Sequence, residues 1–377
     1  MNDTSRPLRV LTLDGGGIRG VIPAAVLAYL EKESGRPISS LFDLIVGTST
    51  GGILALALST PAPDGSPKFS AAELETLYST KGGEIFKPWA SDDLMAEAED
   101  RVADRLVALG LVGEKELSEL EQGSGKPAPW WKALLHPKYG ADGLVDFLKA
   151  QLAETRLSQP LTGTYVAANS FDLDHYSLKT FRSWEATADQ ANDFPMWAVG
   201  RATSAAPTYF PPAEITNLAG SQTLHLVDGG VTVNDPVLVG TAEARHLQRK
   251  LTGPAAKAPL LVVSVGTGQA ADQSIPFNAV KEAGILAWFI SGLMDVLLEA
   301  PNQAANQIAE TLLPDSSFAR LQAALSGPGF AASGAMDDWT PANIAELKKA
   351  AAYLVEQNAQ TITALIERLT SGSPLTV

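Results

Sequence analysis

Three short stretches hold residue types that can do chemistry together. "GTSTG" (residues 47 to 51) sets Ser49 between two glycines, "LDGGGIRG" (13 to 20) strings glycines behind an aspartate, and "LVDGG" (226 to 230) places Asp228 before two more. A serine in G-x-S-x-G spacing, at a turn from strand to helix, can stand clear of backbone and attack a carbonyl carbon. The pentapeptide alone is a weak signal. With glycine and serine each near ~7% of residues, roughly one chain in ten of this length would carry it by chance. The glycine loop suits the complementary task, because backbone N–H groups at a helix N-terminus stabilise an anion, a tetrahedral oxyanion included. Its spacing Gly15-x-Gly17-x-x-Gly20 also meets a dinucleotide fingerprint formally. That reading requires an acid at the end of the next strand, about 20 residues on. Glu31 and Glu33 fall inside the following helical pattern and Asp43 precedes its strand, so the oxyanion role takes precedence.

A nucleophilic serine needs a base. The four histidines are His136, His175, His225 and His246. His246 follows Asp228 and fits a Ser…Asp…His order, but it lies in "VGTAEARHLQRK", which reads as a charged helix face. His225 lies in a strand, His136 precedes a proline, and none of the four sits in a motif. Asp228 ends an apolar run with glycines behind it, the same strand-end geography as Ser49. Asp-Gly is also a common turn or cap pair, so the residues alone leave the base open.

The elements around these stretches read consistently. "LRVLTL" (8 to 13) is a β-type run, and "VIPAAVLAYLEKES" follows the glycine loop with Ile22, Val26 and Leu30 four apart, ending at Gly35. "FDLIVG" and "GGILALALS" repeat strand, turn and helix around Ser49. "TGTYVAANS", "TLHLVDGG" and "PLLVVSVGTG" supply further strands, the last ending in a turn (264 to 268) to which no chemistry is assigned. Strands alternating with helices imply an α/β three-layer sandwich, its mainly parallel central sheet flanked by helices and its ligands at the carboxyl ends of strands. A charged insertion occupies about residues 87 to 135 and includes Trp130 and Trp131, expected to pack on the core. From 271 to 377 the pattern is helical, expected to pack on the same domain as the 8–270 core. Within it, Gly284 to Leu298 is apolar on nearly every face, as a buried helix would be, with membrane insertion of Trp288 and Phe289 as the lesser alternative.

Composition sets the limits. The chain has 377 residues, 45% hydrophobic and 19% charged, which suits an ordinary folded domain. Its net charge of −14 argues against nucleic acid and against purely electrostatic adsorption to anionic lipid. The absence of cysteine excludes disulfides, thiolate metal sites and cysteine nucleophiles. The N-terminus lacks the apolar core of a secretory signal, and no apolar run reaches ~18 residues. A cytoplasmic protein, peripheral at membranes when it meets lipid, is the expectation.

The chain resembles the patatin-like phospholipases. "DGGGIRG" is similar to that family's oxyanion loop, "GTSTG" to its nucleophile elbow and "DGG" to its Asp-Gly-(Gly/Ala) motif, while "HPKYGADGLVDFL", "ATSAAPTYFPP", "DGGVTVNDP" and "VVSVGTG" resemble further landmarks in the same order. The likeness spans about residues 8 to 270 and is looser beyond. It implies Ser49 as nucleophile, Asp228 as its base in a dyad, and the amides of Gly15, Gly16 and Gly17 as the oxyanion hole. It also implies that Arg19, where the family carries a basic residue, faces a phosphate head group. The expected activity is hydrolysis of acyl esters in membrane lipids at an interface, without metal or cofactor. Two other readings are carried beside it: a phospholipase gated by a cyclic nucleotide or partner, and a storage or binding protein with residual esterase activity.

Overall fold

The computed structural model describes residues 6–88, 137–270, 275, 277–281 and 293–371. Trp130, Trp131, nearly all of the insertion, Trp288 and Phe289 lie outside the described residues, as do the side chains of Gly284 to Leu298.

The apolar runs form strands β1 (Leu8–Leu13), β2 (Leu44–Thr48), β3 (Tyr165–Asp172), β4 (Ser177–Arg182), β5 (Ala213–Thr216), β6 (Thr223–Asp228), β7 (Leu260–Val265) and β8 (Phe318–Leu321). They make one sheet in the order β5-β6-β3-β2-β1-β7-β8, with β4 also paired to β3. The ladders from β3 through β2, β1 and β7 to β8 are parallel. Side-chain alternation sorts the central strands between two apolar layers. Leu11, Leu13, Ile45, Leu261 and Val263 face the larger layer, and Leu8, Val10, Leu44, Val46 and Val262 the smaller.

Helices α1 (Val21–Ser34), α2 (Thr50–Leu58), α3 (Ala71–Ile85), α4 (Asp142–Leu152) and α5 (Met196–Thr203) cover the larger layer. Helices α6 (Val237–Gln248) and α7 (Leu293–Leu312) cover the other. The expected three-layer α/β arrangement is therefore present. Past residue 270 the chain does more than add helices. It contributes β8 to the sheet before α8 (Pro341–Gln357) and α9 (Ala359–Thr370) pack on α1.

One detail of pairing matters most. β3 holds β4 along residues 167–172, β2 along 165–169 and β6 along 170–172. Because β4 occupies one edge over the whole stretch, β2 and β6 must share the other. β2 runs parallel to β3 and ends with Thr48 opposite Asn169, while β6 runs antiparallel and ends with Asp228 opposite Ser170. Two strands thus arrive from opposite directions and stop at consecutive residues of one edge. Their carboxyl ends, Ser49 and Asp228, are delivered to the same place.

Candidate active site

Ser49 follows β2 and caps α2 with φ 56 and ψ −124, a conformation that L side chains rarely adopt and that costs on the order of 1–3 kcal/mol. The glycines beside it make the turn possible. A Cβ at Gly47 would lie 2.1 Å from the Gly51 carbonyl oxygen, and one at Gly51 would lie 2.1 Å from that of Leu13. The turn is pinned from outside: the Ser49 N–H donates to Thr203 Oγ1 at 2.9 Å, and that hydroxyl donates to the carbonyl of Asn169. The carbonyl of Thr203 accepts from Gly229 N–H at 3.3 Å and that of Ala205 from Asp228 N–H at 3.0 Å. Thr203 therefore ties the Ser49 turn to the Asp228 turn. It lies in "ATSAAP", whose part in the site nothing in its composition announces.

Asp228 is buried, and desolvation raises its pKa to about 6. Three neighbours oppose that rise: the Ser49 side chain, the Gly230 N–H at 2.7 Å, and the charge of Arg201. The Arg201 guanidinium is itself buried and held down to about 10 by desolvation, with Nη2 on the Pro211 carbonyl and Nη1 without a hydrogen-bond partner among the described residues. The result is a carboxylate that stands beside the serine, is largely ionised at neutral pH, and is basic enough to accept a proton.

Gly15, Gly16 and Gly17 do not share one role. The Gly15 N–H donates to the Asn234 carbonyl at 3.0 Å, and Gly15 is not among the residues lining the cavity beside Ser49. Gly16 and Gly17 do line it, and among the described residues neither amide is taken up by another group. Of the three glycines expected to hold an oxyanion, Gly15 is thus engaged in anchoring the loop, and Gly16 and Gly17 stand at the cavity. Thr267 Oγ1 donates to the Gly15 carbonyl at 2.6 Å, and Ile18 N–H to the Met336 carbonyl at 2.8 Å. The "SVGTG" turn, to which no chemistry was assigned, is therefore one wall of the loop.

Arg19, expected at a phosphate head group, is placed behind the loop. Its guanidinium is buried and lies outside the cavity lining. It pairs with Glu299 at 2.9 Å and reaches the carbonyls of Gly16 and Gly268 at 3.4 Å each. A group so engaged braces the loop from behind. The described histidines are placed elsewhere. His225 is half-exposed between Asp174 (2.8 Å) and Glu214 (3.3 Å), His175 pairs with Asp172, and His246 sits near Glu243 and Glu185. None of the three lines the cavity; His136 lies outside the described residues.

The cavity has a volume of about 180 Å³. Ser49, Asp228, Asn234, Gly16 and Gly17 line it together with Ile53, Ile85, Phe86, Leu144, Phe147 and Phe210, and the lining is mostly apolar. Phe86 and Phe210 stack at 5.9 Å between ring centres, with Tyr139 against both. Dry apolar cavities of about 150 Å³ accept benzene, so this one has room for a stretch of hydrocarbon next to the serine. No group of three or more metal-ligating side chains occurs among the described residues. No helix among them is long and apolar enough to cross a membrane.

Comparisons with known proteins fit this geography. A family model described as patatin-like phospholipase matches residues 11–240. "Patatin-like protein 2" of Arabidopsis thaliana is 30% identical over 80% of this chain and 70% of its own length. "Patatin-like protein 4" of the same plant is 32% identical over 73% and 62%. The human GIVD cytosolic phospholipase A2 structure aligns with 96% of this chain and 60% of its own at 13% identity. Its TM-score of 0.38 is too low to carry an argument.

Proposed function

The chain belongs to the patatin-like phospholipase family, and from that premise we propose that it hydrolyses acyl esters of membrane lipids through a Ser49–Asp228 dyad. The observation that carries the reading is the convergence of Ser49 and a buried Asp228 carboxylate, its pKa raised to about 6, on one mostly apolar cavity. In the first step the Asp228 carboxylate takes the Ser49 hydroxyl proton as Oγ bonds to the acyl carbon. Negative charge moves to the carbonyl oxygen, where the amides of Gly16 and Gly17 receive it and the N-terminus of α2 adds its partial positive charge. Collapse breaks the ester bond, and Asp228 returns the proton to the departing alcohol. Water then attacks the acyl-serine with Asp228 again as base, releasing fatty acid and restoring the serine.

The apolar wall takes the acyl chain, so recognition favours hydrocarbon over any particular head group. A lipid substrate drawn from a membrane surface and a cytoplasmic setting belong to the same proposal. A fluorophosphonate probe tests it directly. Wild type should be labelled at Ser49 with one probe per chain and should release fatty acid from phospholipid liposomes, while Ser49→Ala should do neither. A folded Ser49→Ala protein that still releases fatty acid at the wild-type rate would refute it.

A further inference from the structure

The strand β8 lies beyond the residues matched by the family model, yet one of its side chains reaches the base of the site. Arg320 is nearly buried, its side chain 12% exposed. Its Nη1 donates to Asp14 Oδ1 at 2.9 Å and to Ser264 Oγ at 2.7 Å, its Nη2 donates to Asp14 Oδ2 at 2.5 Å, and Nη1 lies 3.4 Å from Asp235 Oδ2. Asp14 is the residue before the glycine loop. Asp235 follows Asn234, which lines the cavity and whose carbonyl holds the Gly15 N–H. One guanidinium therefore grips the root of the oxyanion loop with its fork and touches the end of the segment that carries Asp228.

We propose that Arg320 is a positioning residue for hydrolysis, fixing the Gly16 and Gly17 amides relative to the Ser49–Asp228 pair, a role that rests on the dyad reading above. The surrounding contacts give it leverage. Asp235 is otherwise held by Asn306 Nδ2 at 2.6 Å and by the Val237 N–H at 2.9 Å, while its own N–H donates to Asn302. It is thus fixed to α6 and α7. Asp14 has one backbone bond, from its N–H to the Val265 carbonyl at 3.2 Å, and its carboxylate has no cation but Arg320 in hydrogen-bonding contact among the described residues. Arg320 thus adds a tie from β8, at the root of the oxyanion loop, to those that Asn234, Thr267 and Met336 make further along it. Burial raises the Asp14 pKa to about 7 even with Arg320 opposing the rise. Losing the arginine would leave that carboxyl both unpaired and protonated, with nothing to aim it.

A positioning role separates from a merely structural one by turnover per folded site. Arg320→Lys keeps the charge but loses the bidentate fork. The double variant Asp14→Asn/Arg320→Met removes both charges of the bidentate pair, while buried Asp235 keeps its hydrogen bonds from Asn306 and the Val237 N–H. Both are assayed on a soluble acyl ester, with active sites counted by complete fluorophosphonate labelling and folding followed by thermal melts. Misplacing reacting groups by about 1 Å costs about 10²-fold in rate. The double variant should therefore melt within a few degrees of wild type yet lose on the order of 10²-fold in kcat and in labelling rate, with KM little changed. Arg320→Lys should recover part of the loss. Wild-type kcat per labelled site in either variant would overturn the proposal. A wild type that takes no label would instead overturn the dyad reading on which it stands.

Discussion

Replacing Asp228 by asparagine should stabilise the protein while abolishing its hydrolysis, and the size of the gain follows from burial. The Asp228 pKa rises from 3.8 to about 6 on folding, chiefly by desolvation, a value that already contains the attraction of Arg201. The folded state therefore holds this proton over a pH range in which the unfolded chain has released it. Below the unfolded pKa both states are protonated and the group costs nothing. Between 3.8 and about 6, stability falls as pH rises. Above that window the loss is complete: about 2 pKa units at 1.36 kcal/mol each, or about 3 kcal/mol. Asparagine has no charge to desolvate, and its side-chain oxygen can still accept the Gly230 N–H now bonded to Asp228 Oδ1. Urea unfolding of both proteins near pH 8 should place Asp228→Asn above wild type by up to about 3 kcal/mol, and near pH 4 the curves should converge. Activity should move oppositely, with fatty-acid release lost at every pH. An Asp228→Asn protein that is less stable near pH 8, or whose advantage is the same near pH 4, would refute the account of a desolvated base.

Three further outcomes are expected. Thr203→Val keeps the shape but removes the hydroxyl that joins Ser49 N–H to the Asn169 carbonyl, so it should cost about 1–3 kcal/mol of stability and slow turnover. Thr203→Ser should restore both, and a Val variant matching wild type in urea and in kcat would show the bridge to be idle. Arg19→Ala should lower phospholipid and neutral p-nitrophenyl ester hydrolysis by the same factor, because Arg19 braces the loop from behind; a loss confined to phospholipid would return it to a head-group role. His225→Ala and His246→Ala should each retain turnover within about tenfold of wild type, far from the ~10⁴-fold loss expected on removing a triad member. Their kcat/KM should still rise with pH up to about 6, where Asp228 titrates. A folded histidine variant as inactive as Ser49→Ala would favour a triad.

Much of the site was legible because its chemistry is local. G-x-S-x-G states its own turn: both glycines are required within five residues, by backbone that a Cβ would strike at 2.1 Å. The glycine loop and the Asp-Gly-Gly turn announce themselves likewise, as does the alternation of strand and helix that yields the parallel half of the sheet. The surroundings of Gly15 and Arg19 were not legible, for a common reason. Motif position says that a residue belongs to the loop, but which way its N–H or guanidinium points depends on Asn234, Gly268 and Glu299, all more than 200 positions away. Thr203, Thr267, Met336 and Arg320 have ordinary surroundings in sequence, and only their partners give them a role.

The sequence by itself determined that a serine and an aspartate would each stand at a strand end among glycines, since φ/ψ preference, strand alternation and turn chemistry act over a few residues. It did not determine that they would meet. That depends on β6 running antiparallel to β3 and stopping one residue beyond β2 on the same edge, so that Asp228 lies opposite Ser170 where Thr48 lies opposite Asn169. Strand direction and register are set by how the whole apolar surface is buried, and burial likewise raises the Asp228 pKa into a useful range. Both are properties of the packed molecule, because desolvation and long-range pairing exist only once distant segments have excluded water together.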